Sequence, residues 1–315
     1  MKLIITGGAG FIGSNFILYI MDKYPDYEVL CLDKLTYAAD ISVLEPLMSN
    51  NKFSFKKADI RDRKTVYEIF DSFKPDIVIN FAAESHVDRS IENPDIFLQT
   101  NFSGVGVLLD ACVKYGKVRF HQISTDEVYG DLPYDDICKF SENSNLCPSS
   151  PYSASKAAAD LLVLSYQRTY GLPVTISRSA NNYGRYQHRE KLIPLMIEKA
   201  LTGDELPLYG DGRNIREWIN VYDHCTAIDL VIHKGEIGEI YNIGGEEISN
   251  IELVKRLCTL LKVPYSRITY VADRPGHDRR YASDYTKIKN LGWCAKISLD
   301  EGLRETIKWY KDVKK

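Results

Sequence analysis

Tyr152 and Lys156 stand four residues apart in Pro151-Tyr152-Ser153-Ala154-Ser155-Lys156, a run that opens a helix with proline in its first turn. The spacing puts a phenol and an ammonium on one helical face. A phenol with its ordinary pKa of about 10 is a poor base at neutral pH. A neighbouring ammonium and a nicotinamide cation would both favour the phenolate, and such a tyrosine can take a hydroxyl proton while hydride leaves the same carbon. Upstream, Ser124-Thr125-Asp126-Glu127-Val128-Tyr129-Gly130 sets two acids side by side behind a hydroxyl. Thr125 can relay or orient the proton reaching Tyr152. Alcohol oxidation needs the tyrosine alone, so Asp126 and Glu127 suggest a second step in which one proton is abstracted and one donated. A capping or ion-pairing role on a loop is the plainer alternative for both.

These groups need elements that bring them to a cofactor. Gly7-Gly8-Ala9-Gly10-Phe11-Ile12-Gly13 follows a strand and opens a helix. Glycines at 7, 10 and 13 permit a tight turn, close approach of a pyrophosphate and close helix–strand contact, with the helix N-terminus facing the phosphates. Asp33 closes the second strand 20 residues after Gly13. There its carboxylate can take both ribose hydroxyls and repel a 2′-phosphate, which favours NAD over NADP despite the adjacent Lys34. Asp59-Ile60 and Phe81-Ala82-Ala83-Glu84-Ser85 follow the next strands, at the edge where open α/β sheets bind ligands.

Strands are expected at 2–6, 28–33, 53–58, 76–82 and 118–124, and helices at 11–23, 62–73, 94–115 and from Tyr152 to Tyr170. Strands alternating with helices predict an α/β fold, a Rossmann-type doubly wound parallel sheet. After residue 178 the rhythm shortens, with strands at 206–208, 216–220, 239–243 and 268–271 and helices near 192–203, 222–234, 250–262 and 299–313. The division is thus 1–178 for the dinucleotide domain with the reactive residues, and 179–315 mainly for a smaller C-terminal α/β substrate-binding lobe, with a soft boundary and some chain crossing back. A length of 315 residues agrees with two domains at about 150 residues each.

The 40 Lys+Arg against 43 Asp+Glu leave a net charge of −3, so no basic field suits nucleic acid or an anionic membrane. No apolar run is expected to approach the ~20 residues of a bilayer span, and Met1 to Gly7 enters strand and glycine turn with no room for a signal peptide. Seven cysteines (31, 112, 138, 147, 225, 258, 294) form no CxxC pair. They read as small hydrophobes in a reducing cytoplasm, and no metal is expected.

Together, Gly7 to Gly13, Phe81 to Ser90, Ser124 to Gly130 and Tyr152 to Lys156 resemble the extended short-chain dehydrogenase/reductases and, within them, the 4,6-dehydratases of nucleotide sugars. The likeness continues through Asn181-Asn182-Tyr183-Gly184, Glu190 to Pro194, Leu208 to Gly212 and Asp273 to Tyr281. It implies an NAD-dependent hydro-lyase, with dTDP-glucose as first choice of substrate. UDP-, GDP- or CDP-linked glucose or N-acetylglucosamine, an epimerase, and a non-catalytic NAD-binding regulator are the alternatives. Catalytic roles fall to Thr125, Asp126, Glu127, Tyr152 and Lys156. The cofactor set is Gly7, Gly10, Phe11, Ile12, Gly13, Asp33, Lys34, Thr36, Asp59, Ile60, Phe81, Ala82, Ala83, Ser85, Thr100, Tyr152, Lys156 and Asn182. Ser85, Thr125 and Asn181 would face the sugar. Lys191, Leu192, Pro207, Leu208, Tyr209, Arg216, Asn250, Asp273, Arg274 and His277 would hold the nucleotide diphosphate. A homodimer through a four-helix interface is implied as well, carried by helices 94–115 and 152–170 with Leu161, Leu162, Leu164 and Tyr166.

Arg185 and Tyr186-Gln187-His188-Arg189 stand where the family carries proline-containing sequence, and an extra arginine there could meet a different base or an N-acetyl group. His86, Asp88 and Arg89 read as a structural polar cluster, and His224 and His233 as ordinary helix residues.

Overall fold

The computed structural model describes residues 1–313. The first lobe runs β1 (Lys2–Thr6), α1 (Phe11–Lys23), β2 (Glu28–Asp33), β3 (Phe53–Lys57), α2 (Arg63–Phe73), β4 (Ile77–Asn80), α3 (Val87–Glu92), α4 (Pro94–Phe97), a π-helical stretch Leu98–Gly104, α5 (Val105–Lys114), β5 (Arg119–Thr125), α6 (Pro151–Tyr170) and β6 (Val174–Ser179). The chain then gives β7 (Asn181–Tyr183), α7 (Leu192–Thr202), β8 (Leu206–Tyr209), β9 (Ile215–Asn220), α8 (Val221–Lys234), β10 (Ile240–Ile243), β11 (Glu246–Ser249), α9 (Asn250–Leu261), β12 (Ile268–Val271), α10 (Thr286–Asn290) and α11 (Leu299–Val313).

Seven parallel strands form the main sheet in the order β10-β6-β5-β4-β1-β2-β3. Its near-continuous apolar runs follow from burial on both faces. Ile4, Val78 and Phe120 point to one layer with Leu108, Cys112 and Val163, while Leu3, Ile5 and Ile79 point to the other with Phe16, Ile20 and Ile228. A 315-residue chain with this core follows the expected doubly wound architecture. Helix α6 is the best-bounded element. Ser150 and Ser153 cap each other's backbone, Pro151 occupies the first turn, and Gly171 ends the helix in the left-handed region at φ 64°.

The second lobe carries a three-stranded sheet, β11-β9-β7, and a pair, β12-β8, around Trp218, Leu253, Leu257 and Leu303. Residues 221–243 return to the first lobe. There α8 adds Val221, Cys225, Ile228 and Ile232 to the layer of α1, and β10 pairs with β6. The helix expected at 94–115 is interrupted by its π-helical stretch. Contrary to the expectation that no run nears a bilayer span, Pro94–Lys114 is long and apolar enough by length and composition, and half of it is buried inside the fold.

Candidate active site

One cleft runs along the carboxyl edge of the main sheet and continues under the second lobe. Its first half is built on the glycine turn. Gly7 has φ 65°, and a Cβ there would lie 2.5 Å from the Ala82 nitrogen. A Cβ on Gly13 would lie 2.4 Å from the Gly7 carbonyl oxygen. Gly10 differs. Its Cβ would meet only the Gly7 carbonyl oxygen, at 3.2 Å, a tight contact but a single one, and the rest of its surface faces the cleft. Gly10 caps α1 without a side-chain bond, which leaves first-turn N–H groups for an anion.

Asp33 is buried at the end of β2. Its Oδ2 accepts from the Ala9 amide at 3.0 Å and its Oδ1 from the Leu35 amide at 2.7 Å. Lys34 Nζ is 2.9 Å from Asp59 Oδ2, and Arg61 donates to both oxygens of the same carboxylate, holding it well below the usual range. Lys34 is therefore engaged by Asp59 beside Asp33. Thr36, Ile60, Phe81, Ala82, Ala83, Ser85 and Thr100 complete this wall. A Cβ-free cradle, open helix amides and a carboxylate two residues short of a positive-φ turn fit a dinucleotide such as NAD.

The reactive residues form the floor where the two halves meet. Thr125 ends β5, donates to Asp126 Oδ1 at 3.2 Å and accepts from the Glu127 amide at 3.2 Å. Asp126 is 1% exposed and its Oδ2 has no partner. Burial, then the Glu127 charge, pushes its carboxyl up to about 7. Burial also raises Glu127, against the pull of Arg274, Arg216 and Lys191. Lys156 Nζ donates to the Ile123 carbonyl at 2.6 Å, and burial brings the ammonium down to about 8.

Tyr152 departs from expectation. Burial, followed by the Glu127 and Asp126 charges, drives its phenol well above the ordinary value, while the Thr125 hydroxyl pulls it back only in part. Lys156 directs its proton to a carbonyl instead, so in the chain alone the phenolate is not the favoured form.

In the second half, Lys191 Nζ donates to the Ser85 carbonyl at 3.0 Å. Arg216 donates to the Asp278 carbonyl at 2.8 Å and lies 4.2 Å from the Tyr281 ring centre. Arg274 sits 3.7 Å from Asp88. Asn181, Asn182, Leu192, Pro207, Leu208, Tyr209, Asn250 and His277 also line the cleft. Asp126 and Asp273 do not line it. Asp126 lies behind Thr125 and Glu127, and Asp273 instead holds His277 Nδ1 at 2.6 Å.

Sequence reasoning missed several neighbours. Tyr281, Trp218, Gln187 and His188 line the cleft, and His224 Nδ1 sits 2.8 Å from Asn182 Oδ1, so it is more than an ordinary helix residue. Arg185 and Arg189 correct the expectation placed on them. Both are exposed and neither lines the cleft; the departing stretch enters it through Gln187 and His188, close to Tyr37 on the cofactor side. The cluster of His86, Asp88 and Arg89 bridges the lobes: His86 and Arg89 approach Glu190, and Asp88 approaches Arg274 and the Tyr209 hydroxyl.

Residues 4–306 match the model of the GDP-mannose 4,6 dehydratase family. The chain is 50% identical to the dTDP-glucose 4,6-dehydratase of Haemophilus influenzae over 98% of each. The crystal structure of the dTDP-glucose 4,6-dehydratase DesIV from Streptomyces venezuelae, with NAD and TYD bound, superposes with a TM-score of 0.95 at 46% identity, covering 99% of this chain and 97% of that one. A UDP-glucose 4-epimerase from Thermotoga maritima with UDP-glucose superposes at 0.92 with 31% identity over 100% of both chains.

Proposed function

The chain belongs to the GDP-mannose 4,6-dehydratase family, and we propose that it acts on dTDP-glucose as an NAD-dependent hydro-lyase, giving the 4-keto-6-deoxy sugar. The observation that carries this reading is the acid pair Asp126/Glu127 beside Tyr152: Asp126 is buried with Oδ2 unpartnered, Glu127 is half-buried and lines the cleft, and both carboxyls are raised by the burial around them. Bound NAD would supply the hydride acceptor and later the donor. Tyr152, with Thr125 against it and Lys156 on its face, takes the 4-hydroxyl proton as C4 is oxidised. Tyr152, raised by burial, would be drawn toward the phenolate by the positive charge that NAD would bring to the cleft. The 4-ketone acidifies C5, and Glu127 removes that proton. Asp126, whose carboxyl burial holds up to about 7 so that it keeps its proton in part at neutrality, passes that proton through the Thr125 hydroxyl it bonds, which lines the cleft, to the departing 6-hydroxyl, and water leaves. Glu127 then returns a proton to C5 as C6 is reduced. An epimerase expels no water and has no step for Asp126.

Gly7 to Gly13, Asp33, Asp59, Ala82, Thr100 and Asn182 serve the cofactor. Ser85 and Asn181 face the sugar. Lys191, Arg216 and Arg274 meet the diphosphate, where planar guanidinium forks suit phosphate oxygens. Residues 1–178 are then the NAD domain and 179–315 mainly the nucleotide-sugar lobe, with 221–243 crossing back. The test is mass spectrometry after incubation with a panel of nucleotide sugars, first without added NAD. Loss of one water from dTDP-glucose is expected. Loss from another sugar nucleotide alone would move the specificity, and no loss even with NAD supplied would sink the reading.

The quaternary reading is a homodimer across α4, α5 and α6. Leu98, Phe102 and Tyr170 stand out there, and Leu161 is 59% exposed, whereas Leu162, Leu164 and Tyr166 pack partly against the core. A monomeric mass by light scattering at micromolar concentration would overturn it. Seven free cysteines, four of them buried, support a reducing, cytoplasmic setting.

A further inference from the structure

Tyr37, Arg89, His188 and Glu190 come from three separate segments and touch one another in a closed ring. The Arg89 guanidinium carbon lies 3.6 Å from the centre of the Tyr37 ring. Arg89 Nη2 is 3.4 Å from Glu190 Oε2, and Glu190 Oε1 is 3.5 Å from His188 Nδ1. The His188 ring closes the circuit, edge-on to Tyr37 with centroids 5.8 Å apart. His188 and Glu190 line the cleft, as do the residues flanking Tyr37 and Val87-Asp88 beside Arg89, while Tyr37 and Arg89 themselves do not. The ring thus ties the cleft's walls together from outside.

Its anchorage is firm on one side. Tyr186 packs on Trp309, the Tyr310 hydroxyl donates to the Gln187 carbonyl, Gln187 Nε2 donates to the Asn182 carbonyl at 2.8 Å, and Asn15 donates to the Arg185 carbonyl at 3.1 Å. The stretch 185–190 is therefore fixed to α1, α11 and the cofactor wall. Opening the cleft means parting Arg89 and Tyr37 from it and from each other.

We propose that this ring is a clasp that keeps the cofactor in the cleft through the catalytic cycle, with Tyr37 and Arg89 as positioning residues. The inference rests on the NAD reading above. A reaction that takes hydride from C4 and returns it to C6 regenerates its cofactor, so it gains nothing from exchange with solvent, and release between the two steps would strand an oxidised sugar. Each contact of the ring is weak by itself, but the contacts must break together for the cofactor to leave. Neither Tyr37 nor Arg89 belongs to the hydrophobic clusters, so truncating them opens no cavity in the core.

The experiment measures bound nucleotide after desalting and the off-rate of labelled NAD chased by excess unlabelled NAD. Arg89→Ala and Tyr37→Ala should each release NAD about tenfold faster than the wild type. Tyr37→Phe, which keeps the ring face under Arg89 but loses the hydroxyl's bond to Glu190, should release NAD at a rate between those of the wild type and Tyr37→Ala. The double alanine variant should be no leakier than either single one, because one ring is opened. Melting temperatures should hold, and turnover should recover when NAD is supplied. Wild-type off-rates in both alanine variants would overturn the clasp alone. A wild-type chain that binds no NAD at any concentration would overturn the function reading and the clasp with it.

Discussion

At the floor of the cleft, Asp126 is buried and Glu127 half-buried, with no ion pair to either among the described residues, and Lys156 donates to a backbone carbonyl. Along the rim, Lys34 is paired with Asp59, Arg89 with Glu190 and Arg274 with Asp88. Both regions are rich in charge, but they use it differently. Rim charges neutralise one another and set the shape of the opening; a diphosphate entering there has to exchange partners with them. Floor acids have no direct ion pair and feel Arg216 only from further off, with Arg274 and Lys191 also reaching Glu127, so their protonation responds to what binds. Burial without a partner is what raises a carboxyl enough to act as an acid at neutrality.

The contrast can be broken by mutation. Glu127→Gln should lower the rate of water loss by about 10³-fold, the range expected for a general base removed from a buried site. Arg274→Ala, at the rim, should instead raise KM about 30-fold and leave kcat within a few-fold, because it contributes to binding in ground and transition states alike. Steady-state kinetics separate the two. A Glu127→Gln variant that behaves like Arg274→Ala would erase the distinction between floor and rim.

A finer test uses pH. Asp126 is held near 7, above its ordinary value, so its acid form is present below that pH and disappears as pH rises through it. Dehydration measured on pre-oxidised sugar should fall across that window in the wild type and lose that limb in Asp126→Asn. An unchanged alkaline limb in the variant would assign the titration to another group.

The smallest effect concerns Glu217, which is fully buried in β9 with Oε1 unpartnered and Oε2 accepting from the Ser283 amide at 3.1 Å. Burial, then the Asp126 charge, pushes it up to about 8, so the unfolded chain releases this proton at lower pH than the folded one. Stability linked to Glu217 is present below the ordinary glutamate pKa of about 4.3 and is lost as pH rises through 8. Glu217→Gln removes that loss. Its melting temperature should gain on the wild type between pH 5 and pH 8 in calorimetry, and a constant gap would count against floor-type behaviour spreading to β9.

Much of this was written locally in the sequence. β1, β2, α1 and α11 follow from apolar runs with clear starts and stops, and the glycine turn, Thr125 to Glu127 and Tyr152/Lys156 carry their chemistry in adjacent residues. β7 and β11 were not legible, since Asn181–Tyr183 and Glu246–Ser249 become strands only by pairing with β9. Gln187 and Tyr281 likewise reach the cleft, and His224 reaches its lining residue Asn182, through contacts between distant segments. The burial around Tyr152 is not legible for a related reason. Spacing reveals the nearby ammonium, whereas the depth of burial that outweighs it is a property of the whole fold.

The return of α8 and β10 has a consequence for how the chain tolerates being cut. A fragment ending at Ser179 would keep every residue assigned to hydride and proton transfer, yet β6 would become a naked edge strand and the α1 face would lose its apolar cover. Exposed parallel edges recruit other chains. Such a fragment would aggregate instead of working as a minimal enzyme, so a shortened relative of this protein would need another strand to seal that edge.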